Sequence, residues 1–98
     1  MLLLGKLRLD VFVQENEDAR APIGAWRMEA EEAQWTGPVE VRASFVDAVI
    51  EGGQILFTMN RIYKLKVKAE YRGGVLLVER VWKQVGQTSA RARARSKA

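Results

Sequence analysis

The stretch ILFTMNRIYKLKVKAEYRGGVLLVERVW, residues 55–82, decides the fold. Its apolar residues recur at every second position: Ile55, Phe57 and Met59, then Tyr63, Leu65, Val67, Ala69 and Tyr71, and beyond Gly73-Gly74 again Leu76 and Val78. Period two is the repeat of a strand with one buried and one wet face. The run from Ile55 to Tyr71 is too long for a single strand of about 5 to 6 residues. Asparagine is poor in strands, so a break or bend is expected at Asn60-Arg61, giving either two strands or one curved strand.

Gly73-Gly74 reads as the two-residue loop of a hairpin, because glycine takes positive φ without a Cβ clash. That loop pairs Arg72 with Val75, Tyr71 with Leu76, Ala69 with Val78 and Lys68 with Glu79. Leu65, Val67, Ala69 and Tyr71 then share a face with Leu76, Val78 and Trp82, while Lys64, Lys66, Lys68 and Arg72 stand on the other, with Lys83 beside Lys64. One residue fits badly: Arg80 falls on the apolar face opposite Val67, so either it reaches an edge or the register carries a bulge.

Upstream, Leu7, Leu9, Val11 and Val13 alternate with polar neighbours and read as a strand, with Phe12 out of phase. Residues 14–24 are polar and closed by Pro22 and Gly24, which reads as an exposed loop. Residues 25–35 fit strand and helix alike, and strand is favoured. Thr36-Gly37-Pro38 marks a turn, Val39, Val41, Ala43 and Phe45 resume alternation, and Glu51-Gly52-Gly53-Gln54 marks another turn. The expected architecture is all-β: a small antiparallel β-barrel or strongly curved sheet of five to six strands, OB-like or SH3-like in size. It spans residues 1–86 and is followed by a disordered Arg-rich tail, 87–98.

Charge is sorted along the chain. Met1 to Asn60 carries five basic and ten acidic residues, whereas Arg61 to Ala98 carries eleven basic and two acidic ones. Residues 1–90 hold twelve of each sign, so the whole net charge of +4 lies in Arg91, Arg93, Arg95 and Lys97. Cations two residues apart along a strand stand about 6.6 to 7 Å apart, close to the phosphate spacing of a nucleic-acid strand. Arg61, Lys64, Lys66, Lys68, Arg72, Lys83, Arg91, Arg93, Arg95 and Lys97 are therefore the candidate contacts of a nucleic-acid-binding module for RNA or DNA, using backbone electrostatics with low sequence specificity. A plain solvated face, or an edge guarded by lysines, accounts equally well for the Lys64, Lys66, Lys68 ladder. The alternative function is an assembly, adaptor or structural subunit of a ribonucleoprotein or virion-type particle. Such a subunit self-associates as a homo-oligomer or binds an acidic protein partner.

With no cysteine and no histidine, the chain lacks thiolate metal sites, disulfides and the commonest general acid-base side chain. No phosphate loop, dinucleotide fingerprint or zinc spacing is present. The expectation is a protein that is not an enzyme, with no catalytic residue, cofactor, metal or small-molecule substrate. The apolar start at Leu2 is interrupted by Gly5, Lys6 and Arg8 before a membrane segment could form, so the expected location is cytoplasmic or within an assembled particle.

Overall fold

Residues 6–32, read as strand, loop and strand, are helical. The structure is a computed structural model that describes residues 1–84. Helix α1 spans Lys6–Glu15 and buries Leu9, Phe12 and Val13, the i, i+3, i+4 set of one helical face. Phe12, the residue that broke the strand phase, belongs to that face. A 3-10 turn at Glu17–Ala19 leads into α2, Arg20–Glu32, which buries Ile23, Trp26 and Ala30. Pro22 is the third residue of α2, where a backbone N–H has no intrahelical acceptor to lose. Helix α3, Pro38–Ser44, starts on proline, and its Glu40 accepts hydrogen bonds from the Thr36 N–H and hydroxyl. Those bonds hold the Glu40 carboxyl below its ordinary range.

Five strands form one sheet: β1 Leu2–Leu4, β2 Val49–Glu51, β3 Gln54–Met59, β4 Tyr63–Glu70 and β5 Val75–Lys83. Their order is β1-β5-β4-β3-β2. The break at Asn60-Arg61 and the strands β3, β4 and β5 agree with the alternation, whereas Val39, Val41 and Ala43, which also alternate, lie in α3, and the count of five is completed by β1 and β2. Asn60 and Arg61 both take positive φ, 53° and 68°, and the chain reverses there between β3 and β4. The sheet is open and does not close into a barrel. The cover that closure would have supplied comes from the helices, which pack on one face, so the architecture is two-layered α+β. β2 to β5 are antiparallel neighbours, and β1 runs parallel to β5, with Leu3 paired to Leu76.

The hairpin register also differs from expectation. Glu70 pairs with Val75, so the loop has four residues, Tyr71 to Gly74, and only Gly74 has positive φ. The Gly74 N–H donates to the Tyr71 carbonyl at 3.1 Å, as in a turn-based four-residue loop. Further along, the register shifts by one between Lys66 and Val67, leaving Glu79 as the extra residue of a β-bulge.

The core lies between the helices and the inner face of the sheet, where Ile55, Phe57, Tyr63, Leu65, Val67, Leu76 and Val78 are all almost fully buried. Phe57 is central to an aromatic cluster, with ring centroids 5.2 Å from Trp26, 5.1 Å from Phe45 and 6.2 Å from Trp35. The Met1 amino group donates to the carbonyls of Ala30, Glu31 and Ala33, placing a cation at the C-terminal end of α2. Among the described residues no helix is long and apolar enough to cross a membrane. The expected tail, 87–98, and the domain boundary at 86 lie outside the described residues.

Candidate functional site

The outer face of the sheet carries no covering layer among the described residues, and its composition follows from the pairing. Because Tyr63, Leu65, Val67 and Ala69 are buried against the helices, Lys64, Lys66 and Lys68 must point the other way. Each lysine has two lateral neighbours. Lys64 lies between Thr58 and Trp82, Lys66 between Leu56 and Arg80, and Lys68 between Gln54 and Leu77. Leu4, Val49 and Leu77, all substantially exposed, flank these rows.

The bulge decides which β5 side chains join the lysines. In a regular strand Arg80 and Trp82 would lie on the helix side. The single extra residue rotates both to the outer face, where the Arg80 guanidinium sits 4.3 Å from the centroid of the Trp82 ring. A surface pocket of about 240 Å³ lies there, its lining including Glu51, Gln54, Leu56, Lys66, Arg80 and Trp82. Lys64 Nζ donates to Thr58 Oγ1 at 2.9 Å, which orients the ammonium without neutralising it. Glu79, at the bulge, accepts from Gln54 Nε2 at 2.9 Å.

Among the described residues the ion pairs are Lys6 with Glu31, Arg20 with Glu17 and Arg27 with Asp10, all outside the sheet. None uses a cation of the outer face. The face is nonetheless polarised, because Glu51, Glu70 and Glu79 occupy its other half while Lys64, Lys66 and Arg80 lie toward the β3–β4 turn. Exposed Arg61 lies in that turn. The Gln84 N–H donates to the Ile62 carbonyl at 2.7 Å, so the C-terminal end of β5 lies beside the same turn.

The sequence-derived site is thus brought together only in part. Lys64, Lys66 and Lys68 share the open face, with Arg61 at its end. Arg72 lies in the opposite turn, and Lys83 pairs with Tyr63 on the helix side and not beside Lys64. Lys68 faces Leu77 and not Glu79, because the longer loop displaces the pairing by two residues. Arg91, Arg93, Arg95 and Lys97 lie outside the described residues. Arg80 and Trp82 are the additions that sequence reasoning missed. Their signal was the poor fit of Arg80 to an unbulged register. Compared with known proteins, the chain matches no family model and no curated sequence.

Proposed function

We propose that the protein is a non-catalytic module that binds single-stranded nucleic acid, RNA or DNA, across the open face of its sheet. One observation carries the reading: Lys64, Lys66 and Arg80 converge around Trp82 on an uncovered face, with no acidic ion-pair partner among the described residues. Cations about 6.6 to 7 Å apart follow successive phosphates, and a tryptophan beside them offers a stacking surface to any base. A base on an Arg-backed indole needs no hydrogen-bond readout, so low sequence specificity is the expected behaviour. Arg91, Arg93, Arg95 and Lys97 follow β5 in the sequence and add further phosphate contacts.

The test is a salt titration of binding to a fluorescent single-stranded oligonucleotide. Log affinity should fall linearly with log salt, by about 0.7 per phosphate contacted. Replacing Lys64, Lys66 and Arg80 together by Gln should reduce the magnitude of that slope by up to about 2, and replacing Arg91, Arg93 and Arg95 by Ser should reduce it by a similar further amount. Trp82→Ala should weaken binding by about 1–3 kcal/mol with the slope unchanged, because stacking releases no counterion. A triple Gln variant that keeps the full slope would remove the sheet face from the interface.

A further inference from the structure

One edge of β5 is unprotected, and what lies beside it is self-complementary. β1 covers β5 only from Val75 to Leu77, and Gly5 lies against Val78. From Glu79 to Lys83 no strand flanks β5 on that side among the described residues. The Gln84 N–H is bonded to the Ile62 carbonyl, so antiparallel alternation turns the peptide groups of Arg80 and Trp82 toward β4 and those of Val81 and Lys83 outward. This edge has Val81 at its centre.

Beside it, between α1 and β5, runs a largely apolar groove of about 590 Å³ whose lining includes Leu7, Val11 and Val81, with Arg8 and Glu15 from α1 and Glu79 and Arg80 from β5. Leu7 is 72% exposed and Val11 45%, although both are large apolar side chains. At about 100° per residue, Val11, Glu15 and Arg8 fall within an arc of about 60° on α1. That side is turned away from Lys6 and Asp10, which are tied to α2 by the ion pairs with Glu31 and Arg27. Arg8 and Glu15 form no ion pair among the described residues. They have opposite sign and stand two turns apart.

We infer that this edge and groove form the interface with a second copy of the chain, joined by antiparallel β5–β5 pairing about a two-fold axis at Val81. The axis sets Val81 against Val81 of the second copy, with outward peptide groups facing each other, and sets Arg80 across from Trp82 of the second copy on the outer face. It also lays the two α1 helices antiparallel. Leu7 and Val11 of one copy then cover those of the other, and each Arg8 meets the Glu15 of its neighbour. Unequal ends on one helix become complementary only under such an axis, which is why a second copy fits better than an arbitrary peptide. The continuous ten-stranded sheet that results places two Lys64, Lys66 and Arg80 clusters side by side. The dimer does not rest on what the open face binds.

Sedimentation equilibrium of the full chain over a wide concentration range, without nucleic acid, tests this. The expected mass approaches twice that of the monomer as concentration rises. Arg8→Glu and Glu15→Arg should each weaken association by at least about tenfold, since each change occurs twice per dimer and sets like charges together. Mixed in equal amounts, the two variants should recover the dimer, because one then presents only acids and the other only bases at these positions. Val81→Pro removes an N–H that the monomer does not use and should abolish pairing while circular dichroism stays native. A chain that stays monomeric at every concentration would overturn the inference. So would a dimer indifferent to Val81→Pro and to both charge reversals, or a mixture that associates no better than its components. Both charge variants alter exposed side chains of α1, so the test survives a folding defect in Val81→Pro.

Discussion

Phe57→Ala is expected to lose about 3–5 kcal/mol of folding stability, the range for deleting a buried aromatic side chain. Phe57 is 1% exposed and lies where three separate segments meet the sheet: Trp26 from α2, Trp35 from the segment after it, and Phe45 at the end of α3. Truncation removes the transfer term for one ring and leaves a cavity bounded by rigid rings that collapse poorly. The edge-on contacts with Trp26 and Phe45, worth about 0.5–1.5 kcal/mol each beyond area burial, vanish as well. A domain of this length has a total stability of roughly 5–15 kcal/mol, so the loss is a large fraction of the total and should shift the unfolding midpoint strongly. Urea unfolding followed by far-UV circular dichroism measures it. Val39→Ala, at an 80% exposed position, is the matched control and should stay within about 0.5 kcal/mol of the parent. A loss below about 1.5 kcal/mol at Phe57 would mean that the four rings do not share one packed cluster.

The parts of the fold that could be read from the sequence are those where local period and burial agree. β3, β4 and the first half of β5 have one face under the helices and one face open, and such a sheet writes a clean alternation into these stretches. In α1 the two signals diverged. Leu7, Leu9, Val11 and Val13 imitate a strand because Leu7 and Val11 are apolar yet exposed, and only the buried triad Leu9, Phe12 and Val13 has the helical spacing. Two exposed apolar residues were enough to reverse the reading, and the same two supply the proposed interface. In α2, Pro22 and Gly24 carry loop signals, but a proline in the first turn is tolerated and a solvent-facing glycine costs only about 1 kcal/mol against alanine. β1 could not be read locally at all. Three leucines have no resolvable period, and their partners Val75 to Leu77 lie at the other end of the chain. Barrel closure failed for the same reason, since it depends on which distant edges meet.

The candidate site was legible as far as the register was. Alternation alone puts Lys64, Lys66 and Lys68 on one face, and they are there. What they face depends on loop length and on one inserted residue, and neither has a strong local signature. A Gly-Gly pair supports a two-residue loop, but it also serves a four-residue loop with positive φ at its last position alone. A bulge changes the phase of everything after it. Past Glu79 that change turned Arg80 and Trp82 outward and, together with the longer loop, set Trp82 in place of Lys83 beside Lys64 and Arg80 beside Lys66. The cationic face thereby gained its aromatic.

Gly5→Ala is expected to destabilise the domain by about 2–4 kcal/mol, although it adds a single methyl group. Two penalties act at once. Gly5 has φ +82°, in the left-handed region that costs a residue with a Cβ about 1–2 kcal/mol. The new Cβ would also lie 2.8 Å from the backbone carbonyl oxygen of Val78, closer than real Cβ atoms come to an oxygen. That oxygen cannot swing aside, because Val78 is fixed in β5 by pairing with Val67. Gly5 has to be bare because it is the hinge by which the chain leaves β1, crosses over β5 and enters α1. Two other glycines separate the penalties. Gly52 has φ +62° with nothing near its missing Cβ, so Gly52→Ala should show the conformational part alone, about 1–2 kcal/mol. Gly24 has helical backbone and open space around it, so Gly24→Ala should instead stabilise α2 by about 0.4–1 kcal/mol. Denaturant midpoints for the three variants should therefore fall in the order Gly24→Ala above the parent, Gly52→Ala below it and Gly5→Ala lowest. Equal losses at Gly5 and Gly52 would mean that the β1–α1 junction does not press against β5, and the edge left free from Glu79 to Lys83 would then have no fixed upper boundary.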